Sequence, residues 1–94
     1  MERLIIIIYK VGGNDEIIKD RIRLLGQWLN YFQGNWMVYT TYSVKEVYEI
    51  LCDDMPLNAQ DKLLIMDVDL NNYYGALPPE AWQWLRGKRE AQKH

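Results

Sequence analysis

Arg3-Leu4-Ile5-Ile6-Ile7-Ile8-Tyr9 is the stretch whose reading decides the fold. β-branched side chains suit the pleated surface of a sheet, and a run this short, closed by Gly12-Gly13, reads as a strand rather than a helix. Its apolar residues do not alternate with polar ones, so both faces of the strand are expected to be covered. The run is also too short for a signal-peptide core or a membrane span.

The elements that follow build outward from this strand. Asn14 or Asp15 can cap a helix running to about Leu25, with Ile17, Ile18, Ile22, Leu24 and Leu25 on its apolar side and Gly26 as its stop. Arg21 falls within that side, either as a snorkelling side chain or as a buried functional group. Trp28–Phe32, Gln33-Gly34 and Asn35–Thr41 read as a hairpin. In its second arm Trp36, Val38 and Thr40 point one way, and Met37, Tyr39 and Thr41 the other.

Ser43 with Glu46 three residues on is a capping box, and it opens a helix whose face carries Val44, Val47, Tyr48, Leu51 and Cys52. Asp53-Asp54-Met55-Pro56 stops that helix. Acids at a helix C-terminus oppose the dipole, so this end is either a solvated acidic turn, a frayed end or one facing a basic partner. Lys62–Val68 is a further strand, and Asn71–Gly75 a turn. Pro78-Pro79-Glu80 opens a last short helix through Leu85.

The order is β-α-β-β-α-β with a C-terminal helical appendage. It predicts an α+β, ferredoxin-like domain over residues 1–85, with a four-stranded antiparallel sheet and two helices on one face. Residues 86–94 are expected as a basic, flexible tail. The central strands, Arg3–Tyr9 and Asn35–Thr41, are also apolar on the side those helices do not cover. A second subunit, the C-terminal segment, or both must cover it.

Composition narrows the function. The chain has 94 residues, 49% hydrophobic and 26% charged, which is ordinary for one globular domain. A single cysteine, Cys52, cannot form an internal disulfide, which suits the cytoplasm. One Cys and one His, His94, cannot build a zinc site or a nucleophilic pair. The net charge is −2, yet the last nine residues are net positive by three, leaving an acidic body. An acidic body is a poor match for a phosphate backbone, so any nucleic-acid contact falls to Lys10, Arg86, Lys88 and Arg89.

Gly12-Gly13 lacks both the P-loop ending and the three-glycine dinucleotide pattern, and reads as a tight turn. Asp67 and Asp69 share a strand face and could hold magnesium in a nuclease, or simply end a polar strand. No other metal or cofactor is called for. The four tryptophans and seven tyrosines lack interleaved basic residues, which favours core or protein-interface use over base stacking. If the sheet meets a second copy, Tyr9, Trp36, Tyr39 and Trp82 are the interface candidates.

Leu4–Tyr9, Gly26-Gln27-Trp28, Trp36–Thr40, Asp61–Ile65, Gly75 and Trp84 together resemble the small CRISPR-associated ribonuclease-like family, the dimeric adaptation subunit. They are closer still to short bacterial proteins labelled SinR-family. The resemblance implies a ferredoxin-like homodimer, with metal-dependent nuclease activity or nucleic-acid binding. In that family the first strand typically ends Tyr-Asp, and the two aspartates of the dimer hold a metal. Here the matching pair is Tyr9-Lys10, and a charged lysine repels magnesium. The leading expectation is therefore a non-catalytic homodimer that acts by binding, in a defence, mobile-element or toxin–antitoxin setting, with a further protein partner as an option and no membrane contact. A magnesium-dependent endonuclease using Asp67 and Asp69, and a nucleic-acid binder using the basic tail, are the alternatives.

Overall fold

The structure is a computed structural model that describes residues 2–32, 34–55, 57, 59–69 and 75–92. The chain is α+β, with elements β1 (Arg3–Lys10), α1 (Asp15–Arg23), β2 (Gln27–Phe32), β3 (Asn35–Thr40), α2 (Val44–Leu51), β4 (Lys62–Asp67) and α3 (Pro79–Gln92). The strands form one sheet in the order β2-β3-β1-β4, and every neighbouring pair is antiparallel. Of the expected turn Asn71–Gly75, all but Gly75 lies outside the described residues, as do Gln33, Pro56, Lys93 and His94.

Strand alternation explains why β1 is apolar throughout. Ile5, Ile7 and Tyr9 are buried with Ile18, Ile22 and Leu25, and with Val47 and Leu51 of α2, in the main core. Trp36 and Val38 of β3, which lie across from Ile7 and Ile5, join them. Leu4 points to the opposite face, where it is buried with Tyr39 and Leu85.

α1 is shorter than its sequence suggests. It ends at Arg23, and Ile17 and Leu24 are exposed at 44% and 84%. Ile18, Ile22 and Leu25 form the buried stripe, whereas Ile17 and Leu24, seven residues apart, share a different line on the helix surface. Asn14 sits at the N-cap in a left-handed conformation, φ 62°, and its side chain makes no capping bond. Gly26 does not stop the helix. A Cβ there would run into the Tyr39 carbonyl oxygen, so Gly26 is where β2 closes onto β3. At the hairpin, Gly34 takes φ 72°, its carbonyl accepts the Tyr9 N–H at 2.9 Å, and a Cβ there would come within 2.8 Å of the Tyr9 carbonyl oxygen.

α2 begins as its sequence predicts. The Glu46 N–H donates to Ser43 Oγ at 3.1 Å, and the Ser43 N–H donates to Glu46 Oε1 at 3.0 Å. Replacing Ser43 with alanine is expected to cost about 0.5–2 kcal/mol, measured by urea unfolding. Val47 and Leu51 are buried, but Tyr48 of the expected face is 49% exposed. At the other end, Arg21 Nη1 donates to the carbonyls of Ile50, Leu51 and Asp53 at 3.3, 3.1 and 2.8 Å. A cation from α1 thus satisfies the C-terminus of α2, where the chain itself supplies only acids. Asp53 and Asp54 are exposed beside it, Asp54 at φ 53°.

The last helix does not end at Leu85. α3 runs to Gln92 through the stretch expected as a tail. Arg, Lys, Glu and Ala are good helix formers, and one interior glycine, Gly87, costs only about 1 kcal/mol against alanine. α3 packs on the sheet face opposite α1 and α2. Leu85 is buried there, with Trp82, Trp84, Leu77, Met37 and Val68 packed around it.

Candidate binding surface

α3 covers only one end of its sheet face. The covered end holds Leu4 and Tyr39, which are opposite each other in the β1–β3 register. Toward the other end the face carries Ile6, Ile8, Leu64 and Met66. Ile8 lies across from Leu64, and Ile6 across from Met66. Ile8, Leu64 and Met66 are 37%, 52% and 40% exposed and lie together on one sheet face, unlike the exposed Ile17 and Leu24 of the α1 region.

Both ends of this surface are basic. Lys10 and Lys62 are directly opposite each other and both exposed, an unfavourable like-charge pair. At the covered end, Lys88 Nζ lies 5.3 Å from the centre of the Tyr39 ring and 5.5 Å from that of Trp84. Arg86 is exposed on the same helix, and Arg89 Nε lies 3.9 Å from Glu90. The four expected nucleic-acid contacts therefore do not form one patch. Lys10 stands at one end of the face and the α3 cations at the other.

The interface candidates need correction. Tyr9 and Trp36 lie in the main core beneath the helices, on the side of β1 and β3 that Ile5 and Ile7 define. Tyr39 is buried and Trp82 half-buried where α3 meets the sheet. Burial pushes the Tyr9 hydroxyl above the usual tyrosine range, and the neighbouring Asp15 carboxylate adds to this. The Tyr9 hydroxyl and Trp36 Nε1 make no hydrogen bond of good geometry among the described residues. A lysine bonded to Asp15, Lys19 at 3.1 Å, holds that carboxyl below its ordinary value.

The nuclease candidates Asp67 and Asp69 sit at the end of β4. Asp67 Oδ2 is paired with Arg3 Nη1 at 3.5 Å, and β4 ends at Asp67, so Asp69 lies past the strand. Among the described residues no group of three or more His, Cys, Asp or Glu side chains could hold a metal ion. Burial raises the Cys52 thiol pKa, which keeps it protonated and a weak nucleophile at neutral pH. The glycine turn offers no phosphate cradle. The Gly12 N–H donates to Asp61 Oδ1 at 3.1 Å, beside a cleft of about 170 Å³ lined by Lys10, Val11, Gly12, Gln60 and Asp61. An open groove of about 490 Å³ runs between Arg21, Tyr42, Glu46, Glu49, Ile50 and Asp53, and there the Arg21 guanidinium is already committed to α2.

β4 is an edge strand, and the hydrogen bonding shows which of its groups point outward. The Val68 N–H bonds the Leu4 carbonyl at 3.1 Å and the Tyr9 N–H bonds the Gly34 carbonyl at 2.9 Å, so even-numbered residues of β1 face β4 and odd-numbered ones face β3. The N–H and C=O groups of Leu63 and Ile65 therefore point away from the sheet. The other edge, β2, carries an irregularity between Leu29 and Phe32, a feature that discourages edge pairing. β4 has no such break in its pairing, and no proline.

No helix among the described residues is long and apolar enough to cross a membrane. Comparison with protein-family models, curated proteins and solved structures returned no match.

Proposed function

We propose that this protein is a non-catalytic, cytoplasmic binding protein with a ferredoxin-like domain, and that it works as a homodimer joined through β4. The observation that carries the proposal is the unguarded β4 edge, whose free backbone groups at Leu63 and Ile65 sit beside exposed Leu64 and Met66. The ferredoxin-like reading rests on the strand order β2-β3-β1-β4 and on two helices packed against one face. Antiparallel pairing of β4 with a second copy would continue the sheet to eight strands and keep both bare faces on one side. The resemblance to the CRISPR-associated ribonuclease-like family agrees with a dimer, and a defence, mobile-element or toxin–antitoxin setting remains the proposed context.

Catalysis is set aside for a local reason. Lys10 stands where that family places its metal-binding aspartate, Lys62 lies opposite it, and Asp67 is tied to Arg3. Labelled RNA and DNA are expected to stay intact with magnesium or manganese. Cleavage lost on Asp67→Asn/Asp69→Asn substitution would restore the endonuclease reading.

The dimer is tested by light scattering at micromolar concentration. The expected mass is twice that of the 11.2 kDa chain. Leu64→Lys should return it to a monomer, because edge pairing places this exposed side chain beside the two-fold axis and would bring like charges together. A monomer mass at all concentrations would overturn the proposal.

A further inference from the structure

We infer that the bare half of the sheet face, Ile6, Ile8, Leu64 and Met66, is a docking surface for an amphipathic helix of another protein that carries acidic residues at both ends. The surface does not depend on how β4 pairs, since edge pairing leaves the face open.

Three features of the molecule select this occupant. The first is what already lies on the same face. α3 covers the adjoining half by laying Trp82 and Leu85 on Leu4 and Tyr39, so this sheet surface accepts a helix. A second helix beside it would complete the layer and bury the cross-strand pairs Ile8–Leu64 and Ile6–Met66.

The second is charge. Lys10 and Lys62 repel each other across the strands, and among the described residues no carboxylate forms an ion pair with either. Lys88 marks the other border. At about 3.3 Å per residue, the bare stretch from the level of Ile6 to that of Lys10 is about 13 Å long. A helix of about 13 residues, about 20 Å long, covers it and overhangs it toward both basic borders. Acidic side chains at its two ends would meet both basic borders while its aliphatic stripe lies between them.

The third is what the surface does not suit. Its exposed side chains are aliphatic, and the rings of this face, Tyr39, Trp82 and Trp84, are packed with α3, so a single-stranded nucleic acid finds nothing to stack on. A second copy placed face to face fares no better. Either two-fold arrangement sets a basic border against a basic border.

The test uses two fluorescent helical peptides of about 13 residues with the same Leu/Ile stripe, one ending in glutamates and one in lysines. Binding to the purified protein is read by anisotropy at low and moderate salt. The acid-ended peptide is expected to bind at least tenfold tighter, with the gap narrowing as salt rises. Ile8→Glu should abolish binding. Lys10→Glu/Lys62→Glu should erase the preference or reverse it, since one border turns acidic while Lys88 stays basic, and no merely structural role would do this. Thermal melts check that the variants fold, and the preference of the unaltered protein decides the matter if one does not. Equal affinity for the two peptides, no binding of either, or an unchanged preference in the charge-reversed variant would overturn the inference. So would a single-stranded oligonucleotide that displaces the acid-ended peptide. Running the titration below and above the dimerisation concentration separates its failure from failure of the dimer.

Discussion

Val47→Asp is expected to abolish the folded domain. Val47 is fully buried on α2, packed in the main core with Ile5, Ile7, Ile18 and Ile22. The substitution removes a buried aliphatic side chain worth about 1.5–3 kcal/mol. It also places a carboxylate where no cation lies within the cluster, which costs several kcal/mol more, whether the group stays charged or is forced to take a proton. The whole stability of a domain this size is about 5–15 kcal/mol. Circular dichroism should show loss of the cooperative thermal transition. Retention of the wild-type melting temperature would mean that α2 packs by another face.

Gly26→Ala should also be severe, although it adds only one methyl group. The new Cβ would meet the Tyr39 carbonyl oxygen, with the Tyr39 carbonyl carbon at 3.2 Å and Thr40 Cα at 3.4 Å, all backbone atoms of the paired strand. Backbone cannot swing aside as a flexible side chain can. β2 must move off β3, straining the Gln27–Tyr39 pairing and the 2.7 Å bond from Thr40 Oγ1 to the Leu25 carbonyl. A loss of about 2–4 kcal/mol follows from the overpacking and the weakened hydrogen bonds. Gly12→Ala is the control. Nothing lies within 4 Å of its Cβ position, and urea unfolding should show little change. Equal midpoints for the two variants would show that the close approach at Gly26 relaxes freely.

Much of this architecture was legible in the residues themselves. The isoleucine run gave a strand, though one of its two faces is covered only at the Leu4 end; Ser43 and Glu46 placed the start of α2, and the α+β class with an antiparallel sheet followed from the order of elements. What escaped the sequence was tertiary. Gly26 looks like a helix stop because helices often end in glycine, but its reason is a carbonyl on a strand thirteen residues away. Arg21 looks like a snorkelling side chain because its acceptors are carbonyls of another helix. The polar residues after Leu85 have no apolar period, yet they continue α3, since helix propensity and one lysine over two rings are enough.

The binding surface was legible only in outline. An apolar second face on β1 and β3 announced that something must cover it. The large aromatics drew attention as the interface, but size favours burial: Tyr9 and Trp36 went into the core and Tyr39 under α3. The side chains left bare are smaller aliphatics, Ile8, Leu64 and Met66, which nothing in the sequence separates from their buried neighbours. Strand alternation would place them on one face, but only the extent of α3 says which part of that face stays open.

Hydrogen exchange at individual amides of β4 tests the dimer most directly. Leu64 and Met66 donate toward β1, whereas Leu63 and Ile65 donate outward from the edge. The Leu64 and Met66 amides should be protected at every protein concentration. Those of Leu63 and Ile65 should exchange freely in dilute protein and slow at least tenfold once the scattering mass has doubled. Fast exchange at Leu63 and Ile65 in a sample of doubled mass would show that the copies join elsewhere, and fast exchange in a sample that never doubles would contradict the homodimer itself.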